Sequence, residues 1–177
     1  MDNVKLSDLK ILFDEETIQK AVKEMASRLN SDYGDEEVYL VSVLKGSVMF
    51  AVDLAKELKM PLQMEFIRLS SYGSSMTSSG KVNAVDITLP DLNNKNVLIV
   101  EDIIDTGHTA KFLVDFIKQN FHVKSLKFCS LLDKKVKRVV YIDADYYCFE
   151  VDDKFLVGYG LDLDGHFRNL PYIGYIG

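Results

Sequence analysis

The chain has 177 residues, 47% hydrophobic and 27% charged, the composition of one folded domain with no need of a disulfide or metal staple. Its longest unbroken apolar run, Val48 to Val52, is far short of the roughly 18 residues of a membrane helix, so membrane spanning by a helix is excluded and no membrane partner is expected. With 21 basic and 27 acidic residues the net charge is −6, which opposes non-specific binding to nucleic acid but leaves room for a local cationic pocket.

Asp14 and the two acids after it mark a helix start, and Ile18, Val22, Met25 and Leu29 recur at helical spacing, which predicts an amphipathic helix ending near Asn30. Val38 to Leu44 is a nearly continuous apolar run, read as a strand covered on both faces. Lys45-Gly46-Ser47 breaks it, Val48 to Leu58 returns as a helix, and Gln63 to Ser71 is the next strand. The following stretch to Lys81 is rich in serine and glycine and cannot bury itself, so it reads as a mobile loop. Val97-Leu98-Ile99-Val100 is the clearest buried strand. Thr109 to Gln119 is a helix, Val123 to Leu132 a strand, and shorter apolar segments fall at 139–142, 146–149, 155–161 and 172–176. Alternating strands and helices predict an α/β fold, a mostly parallel twisted sheet flanked by helices. The less regular segments from about residue 141 to 177, together with the N-terminal segment, form a small hood over one end, so 1–177 is one domain with a core of about 35–140. Cys129 and Cys148 fit no zinc spacing or secreted framework, and no basic-then-apolar leader opens the sequence. Both features point to a cytoplasmic protein with reduced thiols.

Chemistry concentrates in Val97 to Thr109. An apolar strand runs into Glu101 and Asp102, then Asp105, then the turn Thr106-Gly107-His108-Thr109, then a helix. Ligands of open α/β sheets bind at the carboxyl ends of strands. Successive amides in a tight turn ahead of a helix make an anion nest, suited to phosphate. The carboxylates before it accept hydrogen bonds only, which suits vicinal hydroxyls or, through water, Mg²⁺. The plain alternative makes all three solvated residues, with Asp105 a helix cap. Their mutual repulsion so close together favours a site.

The run VLIVEDIIDTGHTA, Val97 to Ala110, resembles the phosphoribosyl-diphosphate signature of type I phosphoribosyltransferases. Leu44-Lys45-Gly46-Ser47, Ser71-Tyr72, Leu131-Leu132-Asp133-Lys134 and the tail DKFLVGYGLDLDGHFRNLPYIG resemble the hypoxanthine-guanine branch, in the same order along the chain. The resemblance implies transfer of a 5-phosphoribosyl group from 5-phosphoribosyl 1-diphosphate to N9 of hypoxanthine or guanine, releasing pyrophosphate. By resemblance Glu101 and Asp102 hold the ribose, directly or through Mg²⁺. Asp105, Thr106, Gly107, His108 and Thr109 form the 5′-phosphate loop, and Asp105 is the acid/base residue. Lys45, Gly46, Ser71, Tyr72 and Arg168 serve pyrophosphate, with a non-proline cis peptide bond near Lys45-Gly46, and the loop after Ser71 closes over the substrates. Lys134, Phe155, Leu156 and Asp162 surround the purine, Asp162 also facing a second Mg²⁺. A homodimer or homotetramer is implied as well.

Each residue has a plainer reading. Lys45-Gly46 is also an ordinary strand-to-helix turn, Phe155 also a core residue, and Lys134 also one cation of the solvated run Lys134 to Arg138. His108, His122 and His166 share no ligand spacing, and no nucleotide P-loop or dinucleotide fingerprint is present. Two other functions remain open at this stage. One is a regulator that binds the activated sugar and acts on nucleic acid, which the acidic balance opposes. The other is a transferase for xanthine or adenine.

Overall fold

A computed structural model describes residues 5–71 and 82–176; the serine-rich segment expected to form a loop, with Tyr72, lies outside the described residues. Along the chain run β1 (Leu9–Phe13), α1 (Glu15–Tyr33), β2 (Val38–Leu44), α2 (Val48–Glu57), β3 (Leu62–Ser71), β4 (Val82–Asp86) and β5 (Asn96–Ile104). They are followed by α3 (His108–Asn120), β6 (Ser125–Asp133), β7 (Tyr146–Glu150), β8 (Leu156–Val157) and β9 (Ile173–Ile176). A six-stranded sheet has the order β4-β3-β2-β5-β6-β7, in which only β4 runs antiparallel to its neighbour. A second sheet of order β1-β9-β8 is the hood.

Alternation along the central strands divides the core. Leu40, Leu98, Val100, Cys129 and Leu131 face one side, where Ile18, Val22, Met25, Phe50 and Leu54 of α1 and α2 meet them. Tyr39, Val41, Val97, Ile99 and Phe128 face the other side, covered by Ala110, Leu113 and Ile117 of α3. Burial on both faces explains why β2 and β5 read as continuous apolar runs. At its start α1 is capped by Asp14, whose side chain accepts from the Thr17 amide, with Glu15 and Glu16 in the first turn. Its end lies beyond Asn30, because the chain stays helical to Tyr33 and the Gly34 amide bonds back to the Asn30 carbonyl.

Three elements differ from the sequence reading. β1 precedes the strand expected to be first, and its partner β9 comes from the far end of the chain. β4 follows the serine-rich segment as an antiparallel edge. β7 falls within the stretch assigned to the hood, yet it pairs with β6 as the edge of the large sheet. The segment at 139–142 forms no strand. Cys129 is buried and Cys148 half-buried, and neither forms a disulfide. No helix among the described residues is long and apolar enough to cross a membrane.

The order of the large sheet reverses at β2: β3 lies on one side of it and β5 on the other, although β2, β3 and β5 follow in sequence. Loops leaving β2 and β5 therefore diverge to opposite faces and leave a crevice at their carboxyl ends. Leu98 lies at the centre of the sheet that forms it, with no exposure to solvent. Leu98→Ala should cost about 2–5 kcal/mol in a denaturant titration without altering which ligands bind.

Candidate active site

The crevice at the reversal point holds a cleft of about 280 Å³, lined among others by Gly46, Glu101, Asp102, Asp105, Thr106, Gly107 and Thr109. β5 delivers the acids. Its ladder with β6 continues through Ile104, opposite Asp133, so Glu101 and Asp102 are still fixed by sheet geometry. Glu101 is only 5% exposed, and burial together with the adjacent Asp102 carboxylate pushes its carboxyl well above the usual range. Burial raises Asp102 too, while bonds from Glu101 and the Ile103 amide and the field of Arg168 act against the rise. The Ile103 amide donates to Asp102 at 3.0 Å.

Asp105 is not a helix cap. The N-cap of α3 is Gly107, in the left-handed region at φ 90°, and no side chain caps the helix. Asp105 is half-buried, and its Oδ1 is buried with no hydrogen-bond partner. An orphaned buried carboxylate oxygen is costly unless a ligand supplies a donor. Thr106, His108 and Thr109 are half-buried around the same turn.

On the other wall, the Leu44–Lys45 peptide bond is cis, within the neighbourhood the resemblance implies. Lys45 is exposed, and Gly46 lies against Asp102 so closely that a Cβ there would collide with the carboxylate. A Cβ on Gly160 would in turn collide with the Gly46 carbonyl. The two glycines thus let the hood loop, the β2 loop and the β5 acids stack without intervening side chains. Tyr159 anchors this stack from behind. Its hydroxyl donates to Asp53 of α2 at 2.8 Å, and Gln19 of α1 donates to the same oxygen at 2.9 Å.

In the hood, Arg168 donates to the Gly160 carbonyl at 2.5 Å and pairs with Asp162 at 2.5 Å. Asp162 also accepts from the Gly165 amide at 2.7 Å. Lys134 follows β6 directly and is buried, with its amide on the Ile104 carbonyl at 3.0 Å. Its ammonium donates to the Lys154 carbonyl at 2.9 Å and lies 4.0 Å from Asp153. It is therefore not part of a solvated basic face, whereas Lys135 and Lys137 are exposed and pair with Glu150 and Asp153. Phe155 is 54% exposed, so it is not a core residue; Leu156 beside it is buried in β8. His122 and His166 are exposed. Only backbone is described for Ser71.

No group of three or more His, Cys, Asp or Glu among the described residues forms a metal cage. The adjacent Glu101–Asp102 pair, buried and half-buried, nevertheless fits Mg²⁺, which is commonly held by one or two carboxylates together with substrate phosphates. Arg138 was missed by the sequence reading: it is 12% exposed and ion-paired to the fully buried Asp133.

Glu101 binds its proton more tightly in the folded chain than in the unfolded one. Its contribution to stability is therefore fully present below the ordinary glutamate range and declines as pH rises through that range toward the raised folded value. Glu101→Gln should stabilise the metal-free protein at about pH 8, with the gain vanishing near pH 4, in parallel denaturant titrations.

The family model of the phosphoribosyl transferase domain matches residues 8–164. The chain is 45% identical to the hypoxanthine-guanine phosphoribosyltransferase of Bacillus subtilis (strain 168) over 165 residues, 93% of this chain and 91% of that protein. It is 43% identical to the protein of the same name from Streptococcus pneumoniae (strain ATCC BAA-255 / R6), with the same coverage. A solved hypoxanthine phosphoribosyltransferase from Staphylococcus aureus superposes with a TM-score of 0.92 at 39% identity, over 100% of this chain and 96% of that one. For the hypoxanthine-guanine phosphoribosyltransferase of Bacillus anthracis with a HEPES molecule in its active site, the TM-score is 0.89 at 42% identity, over 95% and 98%.

Proposed function

The chain belongs to the phosphoribosyltransferase family, and on that premise we propose that it is a purine salvage enzyme moving a 5-phosphoribosyl group from 5-phosphoribosyl 1-diphosphate to N9 of hypoxanthine or guanine. The observation that carries this reading is one juxtaposition: the paired acids of β5, the phosphate-type turn after them and the buried Lys134 share one end of the sheet.

In this reading the amides of Thr106, Gly107 and His108, with the Thr106 and Thr109 hydroxyls, hold the 5′-phosphate against the start of α3. Glu101 and Asp102 hold the ribose hydroxyls. Lys45, Gly46 and Arg168 face the diphosphate, with Ser71 and Tyr72 assigned to the same side. Glu101 and Asp102, with Asp162, would hold Mg²⁺, which would supply positive charge to offset the leaving diphosphate. Lys134 donates to the purine O6, its orientation set by the Lys154 carbonyl. Phe155 presents an open ring face for stacking, and the Leu156 backbone meets the Watson–Crick edge.

As N9 bonds to C1 of the ribose, the C1–O bond to diphosphate breaks and the sugar passes through an oxocarbenium-like state. Fixed dipoles and charges stabilise such a state best when water is excluded. The purine loses its N7 proton, and the unpartnered Oδ1 of Asp105 receives it. The whole chain is read as one transferase domain, cytoplasmic and assembled as a homodimer or homotetramer.

A turnover assay with activated ribose phosphate, Mg²⁺ and four bases tests this. Hypoxanthine and guanine should turn over. Adenine, which sets an amino donor against the Lys134 ammonium, should be slower by roughly 10⁴-fold. Comparable adenine turnover would overturn the base assignment, and nucleic-acid binding without turnover would overturn the enzyme. Asp105→Asn should lower kcat by about 10²- to 10⁴-fold with little change in KM; an unchanged kcat would remove its role.

A further inference from the structure

Arg138 does not itself line the cleft, yet its guanidinium is committed to the backbone of residues that do. One terminal nitrogen pairs with Asp133 and also lies 3.4 Å from the Ile104 carbonyl. The Nε donates to the Asp105 carbonyl at 3.3 Å, and the other terminal nitrogen donates to the Ile142 carbonyl. Ile104 and Asp105 are the residues through which β5 enters the phosphate-type turn.

The same segment supports the turn at a second point. The amides of Val139 and Val140 both donate to the Thr106 carbonyl, at 2.9 and 3.0 Å. Gly107 presses onto this segment: a Cβ there would stand 2.5 Å from the Val140 carbonyl oxygen and 3.0 Å from Cδ of Arg138. The turn therefore rests on a platform of residues 138–142, and a single planar fork locks that platform to both β5 and β6.

We propose that Arg138 is a positioning residue for the phosphate-binding turn, acting through the carbonyls of Ile104, Asp105 and Ile142, with Asp133 as its counterion. The amides of Thr106 to His108 can converge on an anion only if the carbonyls on their far side are held. Water could hydrate those carbonyls but would not fix their direction. Arg suits the task because its donors lie in one rigid plane, whereas a lysine offers a point charge that can satisfy Asp133 but cannot reach three carbonyls at once. Displacing a bound phosphate by about 1 Å can lower a rate by roughly 100-fold.

The inference rests on reading the 105–109 turn as the phosphate site, so the experiment separates the two. Isothermal titration measures the affinity of GMP and of guanosine for the wild type; their ratio isolates what the phosphate adds. If GMP binds no tighter than guanosine to the wild type, the phosphate reading itself falls. Given a wild-type ratio, Arg138→Lys and Arg138→Gln should each reduce it by roughly 10- to 100-fold while guanosine affinity changes less. Arg138→Gln leaves Asp133 as an unpaired buried charge, so the double variant Asp133→Asn/Arg138→Gln is the decisive one. Removing both charges should recover thermal stability. The proposal requires that the phosphate increment stay lost in that recovered protein. A double variant that regains both stability and the increment would overturn it, as would an Arg138→Lys variant with the wild-type ratio.

Discussion

The structure depends on ending an apolar strand in two acids without letting the strand end. β5 is one of the two central strands of the large sheet, and its ladder to β6 runs past Glu101 and Asp102 to Ile104. Backbone hydrogen bonds thus hold the carboxyl groups where burial opposes their charge. Such a pair is a standing cost to the fold unless something cationic or rich in hydroxyls arrives. The groups around it follow from that demand. Gly46 and Gly160 remove side chains that would fill the space, and Arg168 brings one positive charge close enough to be felt at Asp102.

The hood is joined to this pair by contacts that a small sheet could not supply alone. β1, β9 and β8 pair through few residues. Their loop is instead fixed by the Tyr159 hydroxyl on Asp53, which Gln19 and Lys56 also hold. The bond crosses from the hood to both helices on one face of the large sheet. Gly160 follows Tyr159 directly, so this anchor sets how closely the hood approaches Gly46. The distance between Arg168 and the acids of β5 is thereby a property of helix packing as much as of the hood.

Legibility in the sequence follows how local each constraint is. β2, β5, α1 and α3 announce themselves because burial on one or two faces imposes a period on consecutive residues. The acidic strand end and its turn are contiguous for the same reason, and the cleft brings them together with Gly46. β1 is exposed at the adjacent Lys10 and Ile11 and exists only because β9 returns beside it, a long-range pairing with no local signature. β7 reads like a hood segment until its partner β6 is known. Phe155 and Lys134 show the limit most directly. Composition would bury the phenyl ring and solvate the ammonium, and the fold does the reverse.

Arg138 marks the same limit with a physical reason attached. In the run Lys134 to Arg138 the two ends turn inward and the middle three face solvent, because the chain makes a single 3-10 turn at Lys135–Lys137 as it leaves β6. Lys134 is still attached to the strand end and points inward, Lys135 and Lys137 face solvent, and Arg138 returns beneath β5. A net charge of −6 therefore says little about the cleft. The acids that matter are gathered at one strand end, and the cations beside them come from segments far apart in sequence. What an acidic surface opposes is a long polyanion, whose binding needs many exposed cations along one face. A small polyphosphate needs only a nest of amides and a few cations, and Lys45, Lys134 and Arg168 are carried to this end of the sheet by β2, β6 and the hood.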